Sequence, residues 1–270
     1  MRTNSDIRDR IFLPVKGRRY VAQITAQGKG VLSGMGWFEK ACGKLGLTIR
    51  ESKERGQRIQ PKEVIAVLEG TAKQMALAEE ELLGWVSKSS GIATAARRAK
   101  MAAGKNLQVV SGAWKKMPLP MKDLVRQAIL DGGIHLRILE KPFLYLDKNY
   151  LKILEGVENA LLSIREWNDI AKVVQLKSGE KTLLEETLIA VRLGAHVIMI
   201  DTGRRKDIER VNFLLTQKGM RERVEIAFGG EIQIQDLKIL RKMPVDIVDI
   251  GKAIVDAPLL DMKMDVLRRI

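Results

Sequence analysis

The second half of the chain repeats short apolar segments, and an amphipathic helical pattern follows each of them. The segments lie about 22 to 27 residues apart and consist almost entirely of Val, Ile and Met: AKVVQL (171–176), HVIMID (196–201), RVEIAF (223–228) and VDIVDI (245–250). Buried parallel strands covered by helices have this composition. LQVV (107–110) and FLYL (143–146) are predicted as earlier strands. The pattern favours an α/β barrel, with a doubly wound open sheet as the alternative.

The first part of the chain has a different pattern. GKGVLSGMGWFEKACGKLGL (28–47) predicts a strand, a turn and a short helix, and EVIAVLEG (63–70) alternates like a half-exposed strand. A helix over residues 71–88 and a small-residue helix over residues 90–104 follow. We therefore predict an N-terminal α+β sandwich domain over residues 1–104 and an α/β barrel domain over residues 105–270. We expect the last helix to pack back on the first domain.

Composition narrows the class of protein. The chain has 270 residues, of which 46% are hydrophobic, and it contains no apolar run near the ~18 residues that span a bilayer. The N-terminal MRTNSDIRDR has no apolar signal region, so we expect a soluble cytoplasmic protein without membrane partners. One Cys and two His exclude a Cys/His zinc cluster.

Positive charge is concentrated in the first part of the chain. The net charge is +14, and residues 1–105 carry 20 Lys and Arg against 10 Asp and Glu. This bias indicates either a multiply charged small molecule or nucleic acid as partner, unless the charge only forms a solvated surface. Aromatic residues, which stack on bases in many nucleic-acid sites, make up 4% of the chain. We therefore favour a phosphorylated small molecule over nucleic acid.

Four residues lie just past the ends of predicted strands. Asp201 follows one strand, Gly229 and Gly230 follow the next, and Gly251 follows another. The carboxyl ends of barrel strands carry the functional residues of this architecture, so these four are expected to lie together. Glycine exposes backbone N–H groups, and N–H groups from two loops can hold a phosphate without a cationic side chain. The alternative is that these glycines only turn the chain.

A series of motifs in a fixed order extends over most of the chain. In sequence they are SGIAT (90–94), Lys115, DGGIHLR (131–137), VIMID (197–201), FGGEI (228–232) and VDIVDIGKAI (245–254). Their order and spacing resemble the quinolinate phosphoribosyltransferase family, also called nicotinate-nucleotide pyrophosphorylase. The resemblance implies an N-terminal α+β sandwich, a C-terminal α/β barrel and a homodimer. It also implies transfer of phosphoribosyl from phosphoribosyl pyrophosphate to quinolinate with magnesium, followed by decarboxylation, as in NAD biosynthesis.

The resemblance also implies roles for single residues. Gly229, Gly230 and Gly251 would hold the 5′-phosphate. Lys115 and Asp201 would be catalytic, with Lys115 neutralising the leaving pyrophosphate and Asp201 holding ribose hydroxyls or magnesium. The expected substrate-binding side chains are Trp114, His135, Arg137 and Lys148.

Departures from the family pattern fall mainly on the acceptor pocket. The family's Asp-Thr-Arg-Lys-Thr is GAWKK (112–116) here, so Trp114 stands where the family has Arg. Asn-His-Arg becomes His135, Leu136 and Arg137, which moves the histidine back by one position. The family's first Lys of Lys-Asp-Asn-His is replaced by Asp147.

Two further departures affect charge elsewhere. The arginine that the first domain contributes in the family falls at Glu80, and the family's Glu-Val-Glu is the uncharged VVQ (173–175). Quinolinate carries two carboxylates that need fixed cations, whereas the phosphate and ribose elements are retained. We therefore expect a phosphoribosyltransferase that acts on quinolinate or, in preference, on a different aromatic acceptor. The alternatives are a non-catalytic member that binds a phosphorylated ligand or a protein, and a nucleic-acid binder that uses the basic first domain.

Overall fold

The computed structural model describes residues 6–177 and 180–270. Its strands are β1 (Arg19–Ala26), β2 (Gly30–Val31), β3 (Thr48–Ser52), β4 (Arg58–Ile59), β5 (Val64–Thr71), β6 (Gln108–Val110), β7 (Phe143–Leu146), β8 (Ala171–Leu176), β9 (Val197–Ile200), β10 (Glu225–Phe228), β11 (Ile247–Asp249) and β12 (Met262–Arg269). Its helices are α1 (Ile7–Ile11), α2 (Met35–Leu45), α3 (Ala72–Ala103), α4 (Leu119–Gly132), α5 (Lys148–Ile153), α6 (Val157–Leu162), α7 (Glu180–Arg192), α8 (Arg205–Gln217), α9 (Leu237–Leu240) and α10 (Lys252–Val255).

The chain forms two compact units, and each is discontinuous in sequence. The first unit consists of the chain up to Arg97, Met117–Gly133 and Asp256–Ile270. The second consists of Arg98–Lys116 and Ile134–Val255. The sequence-based division at residue 104 is continuous, whereas the first unit also includes α4 and the last segment of the chain.

The first unit is an α+β sandwich, as predicted. Its antiparallel sheet has the order β12-β1-β5-β3, and β2 pairs with β4 separately. Apolar side chains of the sheet pack with those of α2 and α3 in one core, whose fully buried members include Ile24, Leu68, Phe38 and Leu82. Burial of such side chains stabilises the unit by roughly 1.5–3 kcal/mol each.

Helix α3 is continuous over Ala72–Ala103, whereas the sequence pattern suggested two consecutive helices. Gly91 lies where the second helix was expected to begin, and the backbone of Pro258 approaches it closely. A Cβ at this position would lie 2.1 Å from the carbonyl oxygen of Pro258. The glycine therefore marks packing inside the helix and not an end of it.

The expectation that the chain ends in a helix is wrong. The last element is strand β12, in which Met262 is buried and Met264 is half-buried, while Lys263 between them is exposed. The strand is identified by its pairing with β1 and not by alternating burial, since Val266 and Leu267 are both exposed. Met262 pairs with Ala26, and Met264 pairs with Ile24, in the antiparallel ladder with β1.

The second unit contains all six predicted barrel strands. They form one parallel sheet with the order β6-β11-β10-β9-β8-β7. Val110 at the end of β6 also forms an isolated parallel bridge with His135. The strand order follows the chain order apart from β6, without the reversal of direction that characterises a doubly wound sheet.

The sheet is curled around a common core, which confirms the α/β barrel architecture. Inward side chains from β6, β7, β8, β9, β10 and β11 belong to one cluster: Val110, Phe143, Tyr145, Val173, Val197, Met199, Ala227 and Ile247. Tyr145, Gln175, Asp201, Gly229 and Asp249, at or just after the ends of β7 to β11, also line one pocket. The carboxyl ends of the strands therefore surround one mouth.

Candidate active site

A polar pocket of about 660 Å³ lies at the carboxyl ends of the barrel strands. It is lined by Lys116, Tyr145, Gln175, Lys177, Met199, Asp201, Gly229, Gly230, Glu231, Ile232, Gln233, Asp249, Gly251 and Lys252. The sequence-predicted Asp201, Gly229, Gly230 and Gly251 are thus brought together. This position is where functional residues of α/β barrels collect.

Asp201 is held by two side chains from the end of β8. The Gln175 amide nitrogen donates to Asp201 Oδ2 at 2.7 Å, and Lys177 Nζ donates to the same oxygen at 3.4 Å. The Gln175 Oε1 accepts a hydrogen bond from the backbone N–H of Lys148 at 2.9 Å. Gln175 therefore fixes the Asp201 carboxylate and the start of α5 at the same time.

Asp249 is a second carboxyl group in the pocket, at the end of β11. Its Oδ1 accepts a hydrogen bond from the backbone N–H of Gly112 at 3.1 Å. Burial raises the pKa of the Asp249 carboxyl, and the Gly112 N–H and the Lys115 charge oppose this increase. Burial, assisted by the charges of Asp249, Asp201 and Asp147, also raises the pKa of the Tyr145 hydroxyl, so this group stays protonated at neutral pH.

The glycine turn after β10 packs closely against the loop after β9. Gly203 donates its N–H to the Gly229 carbonyl at 3.1 Å, and Gly230 has a φ of +103°. A Cβ at Gly230 would lie 2.6 Å from the Gly203 nitrogen, so only glycine fits this position. Glu231 follows with a φ of +55°, which is uncommon for a residue with a side chain.

The backbone donors of this turn differ in availability. The Gly229 N–H donates to the Ile200 carbonyl at 2.9 Å and is therefore committed to the sheet. The N–H groups of Gly230, Glu231, Gly251 and Lys252 form no hydrogen bond with the described residues. We call these four N–H groups the amide cradle. The four residues line the same pocket and offer two pairs of donors at neighbouring strand ends.

Lys115 lies at the side of this pocket. Its Nζ is 5.9 Å from the centroid of the Tyr145 ring, and its charge acts on Asp249. Lys116, Lys177 and Lys252 line the pocket directly. A cluster of ammonium groups around an amide cradle attracts anions.

The other predicted substrate-binding residues contact the barrel wall instead. Trp114 donates its Nε1–H to the Leu136 carbonyl at 3.3 Å, and the Arg137 guanidinium lies 5.1 Å from the Phe143 ring centroid. The exposed His135 Nδ1 is 3.1 Å from Glu140 Oε1. Trp114, His135, Arg137 and Lys148 do not line the pocket.

The two charge reversals both have local partners. Asp147 caps α5 by accepting hydrogen bonds from the N–H groups of Asn149 and Tyr150 at 2.8 and 3.1 Å. In the first unit, Glu80 is paired through both oxygens with the guanidinium of Arg8, at 2.5 and 2.6 Å. Part of the negative charge expected from the sequence is therefore offset within the chain.

Several pocket residues were not predicted as site residues from the sequence, although the spacing of two of them identifies them once the inward face of each strand is known. Gln175 and Asp249 each lie two residues after an inward core residue, Val173 and Ile247. Side chains two apart on a strand share a face, so both had to point into the mouth once the inward face was known. Lys177 and Lys252 were missed because exposed lysines are common and carry no pattern.

A cavity of about 520 Å³ also occurs in the first unit. It is lined mainly by apolar side chains, including Ile11, Phe12, Tyr20, Met75 and Met264. It lacks the convergent donors and cations of the barrel pocket, which is therefore the candidate active site. No helix in residues 6–177 or 180–270 is both long and apolar enough to cross a membrane.

Comparison with known proteins agrees with the two-part architecture. The family model described as quinolinate phosphoribosyl transferase, C-terminal domain, matches residues 92–265. The corresponding N-terminal domain matches residues 7–90. The chain belongs to the quinolinate phosphoribosyl transferase family. The two matches together cover nearly all of the described residues.

Relatives of this quinolinate phosphoribosyl transferase family member are distant but extend along the whole chain. A probable nicotinate-nucleotide pyrophosphorylase (carboxylating) from Archaeoglobus fulgidus is 26% identical over 249 residues, which is 92% of this chain and 94% of the relative. The human nicotinate-nucleotide pyrophosphorylase (carboxylating) is 24% identical over 245 residues, covering 90% of this chain and 81% of the human one.

Solved structures support the same fold. A nicotinate-nucleotide pyrophosphorylase from Ehrlichia chaffeensis superposes with a TM-score of 0.82 at 16% identity, over 98% of this chain and 93% of that one. At this identity the likeness shows the fold alone. The chemistry of this chain must therefore be argued from its own pocket.

Proposed function

We propose that this protein transfers phosphoribosyl from phosphoribosyl pyrophosphate to an aromatic acceptor other than quinolinate. The observation that carries the proposal is the amide cradle of Gly230, Glu231, Gly251 and Lys252, which shares one pocket with Asp201. A phosphate group fits backbone donors, and a carboxylate next to it suits ribose hydroxyls. Family membership supports this assignment of a sugar phosphate to the cradle.

The proposed reaction exchanges one bond at the ribose C1 for another. The bond from C1 to the pyrophosphate oxygen breaks, and pyrophosphate leaves with the electron pair while a bond forms from the acceptor's ring nitrogen to C1. Positive charge develops on the ribose ring in the oxocarbenium-like transition state. Asp201, which Gln175 and Lys177 orient, stabilises this charge, while Lys115 and Lys116 stabilise the leaving pyrophosphate.

Asp201 is the residue that would hold a magnesium ion in this pocket. Asp201 Oδ2 is occupied by Gln175 and Lys177, whereas Oδ1 accepts no hydrogen bond from the described residues. Magnesium is commonly held by one or two carboxylates together with substrate phosphates, so Asp201 would hold it. Bound there, the ion would neutralise charge on the pyrophosphate. Within residues 6–177 and 180–270, no group of three or more His, Cys, Asp or Glu forms a metal site made by protein alone.

The pocket lining supports an acceptor with fewer negative charges than quinolinate. In the described part of the chain its cations are lysines, and no arginine lines it. Arginine binds a planar carboxylate with two parallel hydrogen bonds, which a lysine cannot do. Asp249 and Asp201 place negative charge around the Tyr145 ring, where an aromatic acceptor has a surface for stacking.

We also propose that the enzyme is a homodimer in which the first unit of one copy covers the barrel mouth of the other. The positive charge of residues 1–105 would then assist the anion site of the partner. Light scattering at micromolar concentration tests this: a dimer mass is expected, and a monomer mass contradicts it.

Calorimetry and turnover test the proposed function in two stages. Titration with phosphoribosyl pyrophosphate and magnesium is expected to show binding, and no binding would contradict the proposal. Pyrophosphate release is then measured with a panel of aromatic mono- and dicarboxylic acids and amides. Turnover with at least one of them is expected. Binding without any turnover would instead indicate a non-catalytic family member.

A further inference from the structure

The amide cradle has a carboxylate at its edge. Asp249 lies at the end of β11, two residues before Gly251, and its Cβ would be 3.9 Å from a Cβ at Gly229. It lines the pocket and is partly accessible to it. A negative group next to backbone donors for an anion lowers anion affinity unless it contributes something else to the ligand.

One oxygen of Asp249 is available to a ligand. Oδ1 accepts the hydrogen bond from the Gly112 N–H, which fixes the orientation of the carboxylate. Oδ2 is 3.6 Å from a Cβ placed on Gly112 and accepts no hydrogen bond from the described residues. Ionised carboxylates only accept hydrogen bonds, so the ligand that suits Oδ2 must bring a donor.

We propose that Asp249 is a specificity-determining residue that accepts a hydrogen bond from a sugar hydroxyl of the ligand and disfavours phosphate esters without such a hydroxyl. The inference rests on the proposed function, because it assumes that the cradle holds the phosphate. It assigns to Asp249 the discrimination between a sugar phosphate and a bare phosphate ester.

The proposed role of Asp249 can be tested with two ligands of equal charge that differ in their hydroxyl groups. Ribose 5-phosphate and methyl phosphate offer the same headgroup to the cradle, but only the sugar offers hydroxyl donors. The Asp249 carboxylate repels the phosphate group of both ligands. Only the sugar offsets this repulsion, because its hydroxyl donates a hydrogen bond to the carboxylate. A hydrogen bond to a charged group changes affinity by about tenfold or more.

Calorimetry with these two ligands tests the inference in the full-length protein. The quantity measured is the ratio of the Kd for methyl phosphate to the Kd for ribose 5-phosphate. We expect Asp249→Asn to lower this ratio about tenfold or more. Asp249→Ala, which removes both oxygens, is expected to act in the same direction and replaces the Asn variant if that one does not fold.

Glu209→Gln is the matched control. Glu209 is an exposed residue of α8 that does not line the pocket, and the change removes the same charge without touching Asp249. A general effect of net charge changes the binding of both ligands equally, so the ratio is expected to stay constant in this variant. An unchanged ratio in the Asp249 variants, or an equal fall in Glu209→Gln, would overturn the inference.

The outcomes separate this inference from the proposed function. If the unmodified protein binds ribose 5-phosphate and the ratio does not respond to Asp249, only the role of Asp249 is wrong. If the unmodified protein does not bind ribose 5-phosphate, the phosphate cradle and the inference built on it both fall.

Discussion

The Gln175 amide donates a hydrogen bond to Asp201 Oδ2 at 2.7 Å, across the ends of the neighbouring strands β8 and β9. By the resemblance, Gln175 takes the place of the last carboxylate of the family's Glu-Val-Glu. Two carboxylates at this distance would repel, whereas an amide and a carboxylate attract. Gln175 therefore holds the Asp201 carboxylate in place as a neutral donor.

Gln175→Ala is expected to lower kcat/KM for phosphoribosyl pyrophosphate by roughly tenfold, because Asp201 loses its orienting hydrogen bond. Gln175→Glu is expected to raise the pH at which activity appears, since one of the two carboxyls then holds a proton. Steady-state kinetics between pH 6 and 9 measure both effects. Gln217→Ala at the exposed end of α8 is the control, and equal losses in it would contradict the role of Gln175.

Lys252 allows a direct test of a backbone donor. It is the first residue of α10, a position where proline fits a helix, so Lys252→Pro removes the N–H without breaking the helix. Lys252→Ala removes only the charge. We expect ribose 5-phosphate to bind the Pro variant about tenfold or more weaker than the Ala variant. Equal Kd values in the two variants would show that this N–H does not bind phosphate.

Glycine substitutions are expected to differ between the two strand ends. Gly230→Ala should destabilise the fold by about 1–3 kcal/mol, because its positive φ and the nearby Gly203 backbone exclude a Cβ. At Gly251 a Cβ would lie 3.4 Å from Ala113 Cβ, so Gly251→Ala should change stability far less. Urea unfolding compares the two variants. A larger loss for Gly251→Ala would mean that the turn after β10 is not under this constraint.

Several features of the fold and the site could be predicted from the sequence, because they depend on local sequence patterns. The strand at 171–176 was predicted with its observed ends, and the polar Lys177 follows it directly. The position of Asp201 and the glycines in the mouth followed from the strand ends alone. Gln175 and Asp249 depended on which face of each strand points inward, and near-continuous apolar strands do not reveal this.

Tertiary packing explains the elements that the sequence did not predict. The sequence pattern suggested helices over 71–88 and 90–104, but α3 is continuous, and Gly91 within it accommodates Pro258, which is distant in sequence. Residues 262–269 form a strand because β1 offers an edge for pairing. The pairing of Glu80 with Arg8 likewise joins distant parts of the sequence. The capping of α5 by Asp147 is local, in contrast, and follows the usual preference for Asp at a helix start.

Asp249→Asn is expected to stabilise the protein at neutral pH. Burial raises the pKa of the Asp249 carboxyl in the folded state above its ordinary value of 3.8. At pH values between the ordinary pKa and the raised one, the folded state binds more protons than the unfolded state. The stability of the unmodified protein therefore falls as the pH rises through this range. The Tm advantage of the variant should be larger at pH 8 than at pH 5, and the opposite order would contradict the burial of an ionisable group there.

The thiol of Cys42 is expected to be unreactive in the folded protein. Cys42 is buried in the core of the first unit, and burial raises the pKa of its thiol to about 12. An aromatic disulfide reagent at pH 8 should label it only as fast as the unit opens, and rapidly in denaturant. Fast labelling under native conditions would show that the α2 core is open.

The kcat/KM for quinolinate, measured with saturating phosphoribosyl pyrophosphate and magnesium, tests the central claim most directly. We predict a value below about 10⁴ M⁻¹s⁻¹, together with a higher value for at least one aromatic acceptor that carries a single carboxylate or an amide. A value for quinolinate of about 10⁴ M⁻¹s⁻¹ or above would contradict the account. It would show that the lysines of the pocket serve a dicarboxylate as well as arginines do.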